Sequence, residues 1–345
     1  MQQGSGAVPT LPIAAQGLLA RGPNPTIAEI STFLQSLLPV RQGDVAFDYH
    51  TPRSRFFNPG TARPAHVILS ITPTAGFYDA LTKAASQTPR SPPLGFLHRP
   101  WELDRKRVPR GTTIVSSHKA FDEVLTVGNN AVLAAKLGMD MGKAGIIQGY
   151  KGDPDRTIGI VGPLATATAR AMLKSQLETE FESFEGVFGF EADDDAEGKD
   201  GKEELATSEN NHDTRCVAIM NAFHPEEVDQ VAGLAVGMGL APSLEDCRGV
   251  LYLTGAVREP GLEAARKKGM AVVCVGHRTC EEWGIRHLAR VSRERWPGLQ
   301  VREVLEAEEA RVVVKKGKSG KGQATMQLVA SDVMPNEIDS TNIIK

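Results

Sequence analysis

Apolar runs of four to six residues recur along this sequence, and most are followed by a stretch with helical spacing. That alternation constrains the fold more than any other feature. A strand followed by a covering helix returns the chain parallel to where it began, and repetition builds a sheet with helices on its faces. Runs at 66–71, 94–97, 112–117, 158–161, 215–220, 249–253 and 271–275 read as strands. Helical spacing appears at 26–38, 74–85, 129–137, 165–181, 225–236, 259–268 and 279–295. Gly138 closes the third of these in the position after a helix C-cap. Residues 41–64, rich in Pro, Arg and Asn, read as loop. The pattern predicts an α/β fold with mostly parallel sheets covered by helices.

Composition divides the chain. Between Glu191 and Glu204 there are eight acids and two lysines, which predicts a solvated acidic insertion over 191–212. It separates an N-terminal α/β lobe at 26–190 from a C-terminal one at 213–314. Residues 1–25 read as a disordered leader and 315–345 as a Lys/Gly-rich disordered tail. With 39 basic against 42 acidic residues, no single-sign field marks the chain as a nucleic-acid binder. The four cysteines lack CxxC spacing, which argues against a zinc ribbon and fits a reducing compartment. No apolar stretch is long enough to span a bilayer, and no secretory signal opens the chain. The expected location is the cytoplasm, with mitochondrion and nucleus as alternatives.

Three of the apolar runs lead into a histidine: His98, His118 and His277. Ligands of open α/β folds gather beyond the carboxyl ends of strands, where side chains converge on a fixed backbone. The strand at 271–275 delivers His277, and the helix that follows projects Glu281 back toward the same point, four residues on. Such a pair suits Zn²⁺, Mn²⁺ or Fe²⁺. Glu282 points away on the same helix. His118 and Asp122 repeat the spacing on another segment. A plainer reading stands beside each: Glu281 as an acid supporting a helix N-terminus, Asp122 as a solvated loop residue.

The segments SHKAFD at 117–122, VGNNAVLAAKLG at 127–138 and GHRTCEEWGI at 276–285 resemble one family. It is the dinuclear-metal family of type 2 GTP cyclohydrolase I homologues, also called the Ngg-one-interacting factor three family. Thr254-Gly255-Ala256-Val257 fits the same pattern, and the resemblance runs from about residue 27 to 312 outside the acidic insertion. It implies two α/β lobes with a metal site between them. It also implies His98, Asp122, His277 and Glu281 as metal ligands, His118 as a nearby catalytic group, and one or two divalent ions (Zn, Mn or Fe) per chain. Arg99 stands where the family carries a second histidine, and a guanidinium has no lone pair to offer a metal. The site then holds a single ion, a second ion on other ligands, or none that is catalytic. Residues 46–50 (AFDYH) replace the family's Trp-Asp-Asn approach, and His50 receives no role.

Two functions follow. One is a metal-dependent hydrolase acting on a nucleotide-like small molecule, with His118 transferring protons. The alternative is a non-enzymatic interaction or regulatory protein whose metal site is structural or degenerate, engaging a protein partner. The resemblance also implies a ring-like homo-oligomer, such as a hexamer. A basic cluster at 99–110 around Trp101 raises nucleic-acid binding, which the near-neutral overall charge argues against.

Overall fold

The computed structural model describes residues 24–150, 152–190 and 213–306. The acidic insertion, the Lys/Gly-rich tail and nearly all of the leader lie outside the described residues. Helix α1 (Ile27–Leu37) opens with a capping box, in which Glu29 N–H donates to Thr26 Oγ1 and the Glu29 carboxylate accepts from Thr26 N–H. Strands β1 (Asp48–His50) and β2 (His66–Ser70) follow, then α2 (Ala75–Gln87), β3 (Leu94–Leu97) and β4 (Thr113–Ser116). Helices α3 (Lys119–Leu125) and α4 (Ala131–Lys136) lead into β5 (Gly145–Tyr150), the long β6 (Asp153–Ala169), α5 (Arg170–Glu180) and β7 (Gly186–Phe188). The last part runs β8 (Asp213–Met220), α6 (Pro225–Gly237), β9 (Val250–Thr254), α7 (Glu259–Lys267), β10 (Ala271–Cys274), α8 (His277–Arg295) and β11 (Gln300–Val304).

These strands form two sheets, ordered β1-β4-β3-β2-β11 and β5-β6-β8-β9-β10-β7. The fold is α/β as expected, with one qualification. In the first sheet only β1 is antiparallel to its neighbour. The second is mixed: β8, β9 and β10 are parallel, while β5, β6 and β7 run antiparallel to their partners. Sheet membership also crosses the expected division of the chain at 191–212. β5, β6 and β7 precede it yet belong to the second sheet, and β11 returns from the far end of the chain to pair with β2.

Packing explains the covered, fully apolar strands. On one face of the first sheet, Phe77 and Leu81 of α2 meet Ile68, Leu97 and Ile114. On the outer face of the second, Val228 and Val231 of α6 and Leu262 of α7 meet Ala218, Tyr252 and Val272. Between the sheets a single core joins Leu69, Phe96 and Val115 to Ile219, Leu253 and Val273 through Phe121 of α3 and Ile285 and Leu288 of α8. Burying one such side chain contributes about 1.5–3 kcal/mol, so the shared helical layer locks both sheets to α3 and α8. The two helices touch at Gly284, where an added Cβ would come within 2.5 Å of Phe121 Cζ and 2.7 Å of Leu125 O.

Two readings of the sequence are corrected. Residues 165–169 are strand, the end of β6, and the helix starts only at Arg170. Ala165, Ala167 and Ala169 favour a helix, but Thr166 and Thr168 are β-branched, and pairing of Thr168 with Thr214 and Ala169 with Asp213 holds the segment in the sheet. The 41–64 loop contains the short strand β1, and β5, β7, β11 and α3 also carry no strong pattern of their own. No helix among the described residues is long and apolar enough to cross a membrane.

Candidate metal centre

The carboxyl ends of three strands build the site. His98 follows β3 directly, His118 sits at the N-cap of α3 just beyond β4, and His277 begins α8 beyond β10. His277 is thus the first residue of a helix, where the reading at 271–275 had it delivered by the strand. Gly276 makes the turn at φ +93°, a left-handed conformation that favours glycine. Asp122 and Glu281 lie one turn into α3 and α8, and the close packing of those helices at Gly284 brings the two acids to the same centre.

His98 is completely buried. Its Nδ1 lies 3.1 Å from Ser117 O, and its Nε2 lies 3.1 Å from Glu281 Oε1 and 3.3 Å from Asp122 Oδ1. Its ring stacks on Phe121 at 4.3 Å between centroids. His277 Nε2 approaches Glu281 Oε1 at 3.3 Å, and His118 Nε2 stands 3.7 Å from Asp122 Oδ2. Arg99 Nη2 donates to Glu281 Oε2 at 2.7 Å. All five residues named as site candidates therefore converge, together with Arg99. Glu282 bonds Arg278 and Arg286 instead.

Charges in this cluster shift one another strongly. Burial opposes protonation of His98, but Asp122 and Glu281 outweigh it and raise the imidazole to about 10. Burial would likewise raise the two acids, yet His98 holds Asp122 below its usual range, and His277 and His98 hold Glu281 well below. His277 is raised by its hydrogen bond to Glu281. Burial pushes His118 the other way, down to about 4, so its imidazole is neutral near pH 7.

The donor set fits a divalent ion. One ligand atom each from His98, His118 and Asp122 lies within 4.8 Å of the others, so small side-chain movements bring all three onto one ion. His118 Nε2 faces Asp122, and its Nδ1 is buried without a hydrogen-bond partner among the described residues. Both carboxylates converge on the single Nε2 of His98, so an ion taking the place of that proton would meet an imidazole and two acids at once. His118, expected as the catalytic neighbour, is thereby grouped with the candidate ligands.

Sequence reasoning missed Asp44. From the 41–64 segment its carboxylate accepts the backbone N–H groups of His118, Lys119 and Ala120 at 3.1, 3.0 and 3.3 Å. It supplies the cap that α3 lacks from His118, and so fixes the helix that carries Asp122. Nothing local signals this, because the partners are more than 70 residues apart. The basic stretch after Arg99 is partly occupied: Arg105 lies over Tyr49 and Arg107 over Tyr78. Trp101, 55% exposed, sets its ring edge-on to His118 at 4.8 Å.

An α/β scaffold of two sheets with a histidine–carboxylate cluster beyond the strand ends defines a candidate metalloprotein. The model of the Duf34/NIF3 (NGG1p interacting factor 3) family matches residues 105–310, and the chain belongs to that family. A solved structure described as protein ybgI, of unknown function, is similar at 16% identity and TM-score 0.50, covering 81% of this chain and 97% of that one. Reduced HcgD from Methanocaldococcus jannaschii is 14% identical, with TM-score 0.47 over 81% of this chain and 97% of its own. A Bacillus cereus protein related to NIF3 is 12% identical, with TM-score 0.45 over 85% and 100%. At such identities the likeness to ybgI speaks for the fold alone. No curated protein matches the sequence.

Proposed function

We propose that this chain binds a divalent metal ion at the His98–Asp122 cluster and serves as a metal-dependent hydrolase for a nucleotide-like small molecule. The observation that carries the reading is the convergence of His98, His118 and Asp122 within 4.8 Å. In this reading those three residues hold the ion, and Glu281 and His277 complete its surroundings from α8. Imidazole with carboxylate suits Zn, Mn or Fe. When bound, such an ion supplies Lewis acidity for hydrolysis.

The chain's own residues do the remaining work. Ser117 O accepts from His98 Nδ1, which fixes the ring and directs Nε2 to the acids. Asp44 anchors the start of α3 and so the positions of His118 and Asp122. His277, 43% exposed at its side chain, stands where it can exchange a proton with a substrate at the rim. Trp101 offers a planar face beside the cluster, suited to a base. The nucleotide-like substrate and a homo-oligomeric ring rest otherwise on the family resemblance.

A second reading has its own support. Arg99 occupies Glu281 Oε2 and brings a permanent positive charge to the cluster. On this reading the ion is structural or the site degenerate, and the chain acts through a protein partner.

Metal content by plasma mass spectrometry, on protein purified without chelator, separates the cases. The expected result is about one ion per chain, lost in Asp122→Ala. No metal after reconstitution with Zn²⁺, Mn²⁺ and Fe²⁺ overturns metal binding. A stoichiometric ion with no turnover across a nucleotide panel selects the second reading.

A further inference from the structure

A second polar feature lies at the opposite end of the first sheet from the metal cluster and shares no residue with it. Strands β2 and β11 begin there, with His66 paired to Gln300 and Ile68 to Arg302. Paired residues of parallel strands project to the same face, and on this face α2 packs over β2 through Ile68. Beside α2 the sheet opens into a cavity of about 720 Å³. That volume is within the range of small-molecule sites, roughly 300–1,000 Å³.

The lining is asymmetric in charge. Ile68, Ala80 and Leu299 supply apolar surface. Around it stand Lys83 of α2 and Arg302 of β11, neither in an ion pair among the described residues, and Arg293 of α8, whose charge is balanced by Glu303. No Asp or Glu is among the described residues that line it. Within the same cavity sits His66, only 7% exposed, whose ring has no hydrogen-bond partner among the described residues. Burial holds its pKa down, so the ring is neutral, with one N–H to donate and one lone pair to accept. A ring so placed can hydrogen-bond a ligand that enters the cavity.

We propose that this cavity is a binding site for a small organic anion, whose carboxylate or phosphate meets Lys83 and Arg302 while its apolar body lies on Ile68, Ala80 and Leu299. His66 hydrogen-bonds the ligand inside the cavity. The site is independent of the metal reading, because neither its residues nor its test involve the cluster.

The test is a titration of the full chain followed by the imidazole proton resonances of His66, assigned with His66→Gln. The probes are phenyl phosphate and benzoate, with benzyl alcohol as the uncharged control. A saturable His66 shift with either anion, absent with benzyl alcohol and weakened at least tenfold in Lys83→Glu/Arg302→Glu, supports the proposal. Which anion saturates distinguishes phosphate from carboxylate. Both charge reversals are at exposed positions, so circular dichroism and metal content are expected to match the parent protein. No saturable shift with either anion, or equal binding by the charge-reversed protein, overturns it.

Discussion

Helix α8 carries two buried histidine–acid clusters made from the same residue types, and they behave in opposite ways. At its start, Glu281 and Asp122 converge on His98, with His277, His118 and Arg99 around them. Two turns later, Glu180 accepts from Trp283 Nε1 at 2.9 Å and from Lys136, while His287 stacks on Trp283 and meets Arg290 Nη2 at 3.0 Å. In the second cluster the acid has its own donors, and no carboxylate of the described residues bonds the imidazole. In the first, two carboxylates converge on one imidazole nitrogen. Composition does not separate the two; convergence of acceptors does, and only that cluster is suited to a cation.

The largest effect expected from breaking this contrast is on metal. Asp122→Ala or Glu281→Ala should lower metal affinity at least ~100-fold, about 3 kcal/mol, whereas Glu180→Gln in the second cluster should leave it unchanged. Calorimetric titration with Zn²⁺ checks all three variants.

The two histidines should also give stability–pH slopes of opposite sign in metal-free protein. Burial, then Arg290, depresses His287 to about 4, below its unfolded value near 6.5. Its contribution is fully present above pH 6.5 and is lost as pH falls toward 4, about 3 kcal/mol in all. His98 is raised to about 10, so its contribution is fully present below pH 6.5 and is lost as pH rises through 10. Denaturant unfolding across pH 4–10 should show the acid-side loss flattened in His287→Leu, with the alkaline-side loss retained. Metal-loaded protein should lose the alkaline slope, because an ion takes the place of the His98 proton.

Arg99→His removes the guanidinium from Glu281 and adds a lone pair. Affinity should rise roughly tenfold, about 1.4 kcal/mol, or a second ion should appear per chain. Unchanged metal content would show that Arg99 does not limit the site. The smallest effect is at Asp44. Asp44→Ala removes the cap of α3 and should cost about 1 kcal/mol of stability, with a several-fold loss of metal affinity. Asp44→Asn, which keeps one acceptor oxygen, should recover most of both.

Much of the scaffold was legible because its elements bury what they spell. β2, β3, β4 and β10 are continuous apolar runs buried along their whole length, as strands covered on both faces must be. α6, α7 and α8 show their apolar period directly. The elements that escaped are short or carry mixed burial. β1 and β7 have three residues each, β5 buries only Ile147, and β11 (QVREV) is an edge strand that buries only Val304. In each, the partner strand rather than the local sequence decides the conformation. The candidate site was legible in its residues: His98, His118, Asp122, His277 and Glu281 all carry a spacing or strand-end signal. Asp44 carries none, since a carboxylate in a loop acquires meaning only from the backbone it reaches.

The sequence by itself determined that this is an α/β chain whose histidines fall beyond strand ends, because apolar period and strand-end position are local properties. Tertiary structure decided the rest. β11 joins a sheet begun more than two hundred residues earlier, and Gly284 lets α8 approach α3 closely enough for Glu281 and Asp122 to share His98. Arg99 turns to Glu281, and Asp44 closes the end of α3. Each of these depends on distances between segments remote in the chain. Local periodicity carries no information about such distances, and packing of the shared helical layer between the sheets sets them.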